Sequence, residues 1–141
     1  MGRVINLDGV GKKRNQLIKA VVIALRELAH QGAPDENTRD LAAFIALSLN
    51  AVAETIERSV TPWEKRGYWV KADRFRLEWE WSGKVGDVLH QAVLVDDWAT
   101  IAQNAGIAAE KLSRVNVSTR HRMGKPWVGA WQKLKASSTD K

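Results

Sequence analysis

The chain predicts an all-α protein, a compact bundle of four to five helices with a basic C-terminal arm. Apolar residues recur at i, i+3 and i+4 through most of its length, the period of a helix with one buried face. A length of 141 residues with 45% apolar composition is enough for one ordinary core. Eight basic residues fall in the last 31 positions against Asp140 alone, whereas residues 1–110 hold 14 basic and 15 acidic side chains. The net charge of +6 therefore belongs to the tail. This divides the chain into a helical bundle over residues 1–115 and a basic, tryptophan-containing arm over 116–141, packed on the same domain or on a partner subunit.

Each element has its own signal. Leu17, Val21, Leu25 and Leu28 share one face and Gly32-Ala33-Pro34 closes the run, which predicts a helix over about 12–31. Asp35 or Thr38 then caps a second helix striped by Leu41, Ile45, Leu49, Val52, Ile56 and Val60, with enough alanine beside the stripe to suggest close helix–helix contact. Thr61-Pro62 reads as an N-cap and first helical position of a third helix. Phe75 to Trp81 alternates apolar and polar residues as a strand does. The pairs Arg74/Glu78 and Arg76/Glu80 at i, i+4, and the lack of a partner strand, favour helix. Gly83 and Gly86 predict a break or kink before a buried helix reaching about Gln103. Asn104-Ala105-Gly106 predicts a turn and 107–115 a short helix. Residues 116–125 read as an extended basic loop, Pro126 as the start of a short helix placing Trp127, Trp131 and Leu134 on one face, and 137–141 as disordered.

Composition removes several chemistries. Without cysteine there is no disulfide, thiolate metal site or thiol nucleophile. The N-terminal residues do not read as a signal peptide, and no apolar run is long enough to span a bilayer, so the expectation is a cytoplasmic protein without a membrane partner. No serine has a Gly-x-Ser-x-Gly setting, and Gly9-Val10-Gly11-Lys12 lacks the spacing of a phosphate loop. Glu27-x-x-His30 and Asp87-x-x-His90 have the spacing of di-metal carboxylate helices, a short pattern that arises easily by chance.

Two basic regions are candidate anion sites. Lys65, Arg66 and Lys71 lie among Trp63, Tyr68, Trp69 and Phe75, a mixture that either frames a nucleotide or packs a core while its cations stay in water. In the tail, Arg114, Asn116, Arg120, Arg122 and Lys125 precede Trp127 and Trp131. There the arginines and lysines would hold phosphates and the tryptophans stack on bases, as in single-strand nucleic-acid binding; alternatively the tryptophans dock the arm. The aromatic excess between 63 and 98 also suits a homodimer interface.

Glu54-x-x-Glu57 aims two acids from one face of the second helix, and Asp87 opens Val88-Leu89-His90 on a later one. Three carboxylates from two packed helices suit magnesium or manganese. With Ala105-Gly106-Ile107 and Glu110 to Ser118, this pattern resembles the MazG-like all-α nucleoside triphosphate pyrophosphohydrolases over about residues 38–119. The resemblance implies an all-α, dimer-forming protein that binds or hydrolyses nucleoside phosphates. It assigns Glu54, Glu57 and Asp87 to three of the family's four metal-binding acids, which would activate water on a magnesium or manganese ion. The fourth position falls on Lys84, a charge reversal, and a second register puts Ser48 and Ala51 where acids belong. Arg114-x-Asn116-x-Ser118 resembles a phosphate-contacting segment of some members, with Thr119 in place of the usual lysine. The alternative function is a non-catalytic nucleic-acid-binding or oligomeric assembly protein acting through the arm.

Overall fold

The longest helix, α2 (Glu36–Lys65), is the axis on which the others pack in the computed structural model, which describes residues 7–139. The helix α1 (Leu7–Ala29) lies against one side of it, α3 (Trp69–Leu94) against another, and α5 (Ala130–Thr139) against its N-terminal half; α4 (Trp98–Lys111) packs mainly on α3. No strand occurs among the described residues, so Phe75–Trp81 is helical. The core is the predicted stripe of α2, with Leu41, Ile45, Leu49 and Val52 fully buried, joined by Val21 from α1, Leu89 and Val93 from α3, Ile101 from α4 and Leu134 from α5.

Local chemistry accounts for the boundaries. Asp35 caps α2, its carboxylate accepting the Thr38 amide at 2.9 Å, and Asp97 caps α4 by accepting the Thr100 amide at 3.2 Å. Both carboxyls are held below the usual range, Asp35 chiefly by the Thr38 amide and Asp97 chiefly by the Thr100 hydroxyl, which donates to it at 2.7 Å. The α2–α3 turn closes with Tyr68 N–H on the Trp63 carbonyl and Gly67 N–H on that of Glu64, and it needs a left-handed residue, supplied by Gly67 at φ 82°. The α3–α4 turn repeats this geometry, with Asp97 N–H on Ala92 and Asp96 N–H on Val93, but uses Asp96 at φ 53°. Asp96 also pairs with Arg39 at 3.0 Å, which ties the turn to α2.

Several predicted boundaries move. α1 begins at Leu7, five residues earlier than expected. Pro62 opens no new helix: α2 runs through it to Lys65. The Thr61 hydroxyl donates to the Glu57 carbonyl at 2.8 Å, and Trp63 and Glu64 engage Phe75 and Arg76 of α3, so packing outweighs the missing N–H. Gly83 and Gly86 lie inside an unbroken α3. Gly86 faces Asn50 and the Ala46 carbonyl of α2, where the helices approach too closely for a side chain. The break comes instead at Asp96. Asn104-Ala105-Gly106 is helical, with Asn104 buried and its amide donating to the Thr100 carbonyl at 3.0 Å. Ser137 and Ser138, expected to be disordered, belong to α5; Asp140 and Lys141 lie outside the described residues.

Candidate functional site

The carboxylates expected to hold a metal ion are Glu54 and Glu57 on α2 and Asp87 on α3, all exposed. Glu57 is engaged by Arg76, which approaches its two oxygens at 2.9 and 3.0 Å. The same guanidinium reaches Glu64 at 2.6 Å, holding that carboxyl below its usual range while its own pKa is raised by the two partners. Lys84 sits on the solvent side of α3 within 3.7 Å of Glu80. Among the described residues no group of three or more His, Cys, Asp or Glu side chains is placed to hold a metal ion. Of the three acids Glu57 joins the α2–α3 ion-pair network through Arg76, while Glu54 and Asp87 enter no ion pair among the described residues.

The aromatic residues around the α2–α3 turn divide into two groups. Trp63 packs edge-on against Phe75, with ring centroids 5.3 Å apart, and carries Lys71 over its ring at 4.2 Å. Phe75 carries Arg14 at 4.9 Å. That arginine donates at 3.0 Å to the buried Thr55 hydroxyl and also bonds Ser59, so it clamps α1 to α2. Tyr68 and Trp69 are exposed at the turn, beside exposed Lys65 and Arg66. Packing thus takes two of the rings that the sequence offered to a nucleotide.

Residues 112–129 connect α4 to α5 without helix or strand. The connection is held at several points. Leu112 and Trp127 are buried in the core cluster, and Trp127 donates its indole N–H to Asn37 at 3.0 Å. Asp40 of α2 accepts the Gly129 and Trp131 amides at 3.1 and 3.0 Å, satisfying the first donors of α5 from another helix. Arg26 of α1 donates to the Val117 carbonyl at 2.8 Å. Trp131 is half-buried, with Arg39 and Lys135 over its ring at 5.1 and 3.8 Å. Both tail tryptophans thus dock the arm on the bundle, the second of the two alternatives that the sequence leaves open. Burial wins because both rings continue the apolar face that Ala130 and Leu134 present to α2.

What the connection presents to water is charge. Lys111, Arg114, Arg120, Arg122, Lys125 and Lys133 are all exposed, as is Asn116, and among the described residues none of these six cations joins an ion pair. No acidic residue occurs between Lys111 and Thr139. Arg26, Asn37 and Asp40, which hold the connection in place, were not identified from the sequence. They lie some 90 positions away from their partners, and no local pattern connects them. Compared with protein-family models, curated proteins and solved structures, the chain matches none of them.

Proposed function

We propose that this protein binds nucleic acid without catalysis, through the phosphate backbone, using the connection between α4 and α5. The observation that carries this reading is the run of six exposed, unpaired cations on a segment free of acids. Arg114, Arg120, Arg122 and Lys125, with Lys111 and Lys133 at its ends, neutralise phosphates and release counterions. Asn116 adds a polar contact. The tail tryptophans are committed to packing, so binding is independent of base sequence and does not depend on their stacking. Anchoring by Trp127 keeps the cations near the bundle and limits the entropy lost on binding. The hydrolase chemistry that the MazG-like resemblance implies has less support, because Glu57 is already neutralised by Arg76.

Fluorescence anisotropy with labelled single- and double-stranded 20-mers tests the reading. Five or six phosphate contacts give a log Kd against log salt slope of magnitude about 4 to 5, with Kd in the micromolar range or weaker at physiological salt. Arg120→Glu/Arg122→Glu/Lys125→Glu should abolish binding while leaving the helical circular dichroism unchanged. Binding that is absent in wild type at 50 mM salt, or unaltered in the triple variant, would overturn it. Pyrophosphate release from nucleoside triphosphates with magnesium or manganese, lost in Glu57→Ala, would restore the enzymatic reading.

A further inference from the structure

A groove of about 350 Å³ is lined by residues of α1, α2, the α4–α5 connection and α5. Leu17 of α1, Phe44 and Leu47 of α2 and Val128 of the connection give it apolar walls, and the two polar side chains in its lining are Ser48 and Lys133. The connection side of the groove is fixed in place, because Asp40 accepts the Gly129 and Trp131 amides. Ser48 is 5% exposed, yet its hydroxyl bonds to none of the described residues. A buried hydroxyl without a partner costs stability and calls for one from outside the chain. Lys133 is exposed and joins no ion pair among the described residues. Asp40, one turn before Phe44, is already engaged through both oxygens by those two amides. Apolar walls with two convergent polar groups, one unsatisfied and one a cation, are the makings of a site for an amphipathic anion.

We infer that this groove binds a medium-chain aliphatic monocarboxylate. The carboxylate accepts a hydrogen bond from Ser48 and pairs with Lys133, while the chain covers Leu17, Phe44, Leu47 and Val128. Val128, otherwise 69% exposed, leaves water as the chain lies on it. One cation and one hydroxyl suit a single carboxylate. A phosphate monoester, with nearly two charges and three acceptor oxygens, would be left under-satisfied by them. At about 30 Å³ per water-sized group the groove holds roughly a dozen non-hydrogen atoms, the size of decanoate. The site goes beyond the nucleic-acid reading and shares Lys133 alone with it.

Isothermal titration calorimetry with sodium decanoate, on the full chain without nucleic acid, tests this. One site per chain is expected, with a Kd on the order of 100 µM. Octanoate, two methylenes shorter, should bind roughly fifteenfold more weakly, about fourfold per methylene. Lys133→Met should weaken decanoate about fivefold and Ser48→Ala about threefold to tenfold. In the protein alone, Ser48→Ala should leave the thermal midpoint unchanged or raise it, because no bond within the chain is lost; a hydroxyl with a structural role would lower it. Decyltrimethylammonium, which carries the opposite charge on the same chain, should bind at least about tenfold more weakly than decanoate. No binding of decanoate up to about 2 mM, well above the expected Kd, overturns the inference. So does undiminished decanoate affinity in both variants, which would place it elsewhere. Equal affinity for the decyl cation overturns it too, since the groove would then read only the chain.

Discussion

Two glycines separate what space allows from what propensity favours. A Cβ at Gly86 would lie 2.6 Å from the Asn50 side-chain oxygen and 3.2 Å from the Ala46 carbonyl. Asn50 can turn aside, whereas the Ala46 carbonyl belongs to the backbone of α2. Alanine gains about 1 kcal/mol in helix propensity, but overpacking costs about 1–3 kcal/mol, so Gly86→Ala should destabilise by about 1 kcal/mol. At Gly106 a Cβ meets nothing within 4 Å, and Gly106→Ala should stabilise by about 0.5–1 kcal/mol. Urea midpoints that moved the same way for both would contradict this. In the sequence both glycines read as breakers, because a close approach between α2 and α3 leaves no mark at Gly86 itself. Trp127 and Trp131 were ambiguous for a similar reason: an indole beside cations suits both a core and a stacking site, and only Asn37 and the α2 surface decide between them.

Among the elements, α3 explains its own ambiguity. The strand-like alternation from Phe75 to Trp81 lies on one helix, with Phe75, Trp79 and Trp81 half-buried and Leu77 exposed. The period-2 rule assumes that the apolar residues share one buried face, which the exposed Leu77 does not. The short α5 depends on a cap that comes from α2 rather than from its own flanks. Asp40→Ala should cost about 1–2 kcal/mol by orphaning the Gly129 and Trp131 amides. Hydrogen exchange would show it as lost protection in residues 131–138 with α2 unaffected. Equal loss across all helices would mean that α5 does not open separately from the bundle.

Across the whole molecule, stability should change with pH in one direction on the acid side. The carboxyls of Glu64, Asp35 and Asp97 are held low, the first by Arg76 and the others by bonds from Thr38 and Thr100. Each binds its proton less readily folded than unfolded. Its contribution is therefore complete above the unfolded value near 4 and disappears as the pH falls through the lower folded value. Thermal melts should be level between about pH 8 and 5 and fall below about pH 4. A decline that began above pH 6 would contradict this account. The separation of charge also acts at this scale: Glu57, Glu64 and Glu80 pair with cations of α3, whereas the α4–α5 connection carries no acid to oppose its own cations.

By itself the sequence determined the helical class, the stripe of α2, a cap at Asp35 or Thr38, and the place where positive charge accumulates. Each of these is a local property of spacing or composition, readable within a few turns of chain. Only the tertiary structure decided that α2 continues through Pro62, that α3 continues through Gly83 and Gly86, that the tail tryptophans pack rather than stack, and that Glu57 belongs to Arg76. Those outcomes depend on contacts between residues 12 to 90 positions apart, where packing and ion pairing outweigh local preferences of about 1–3 kcal/mol.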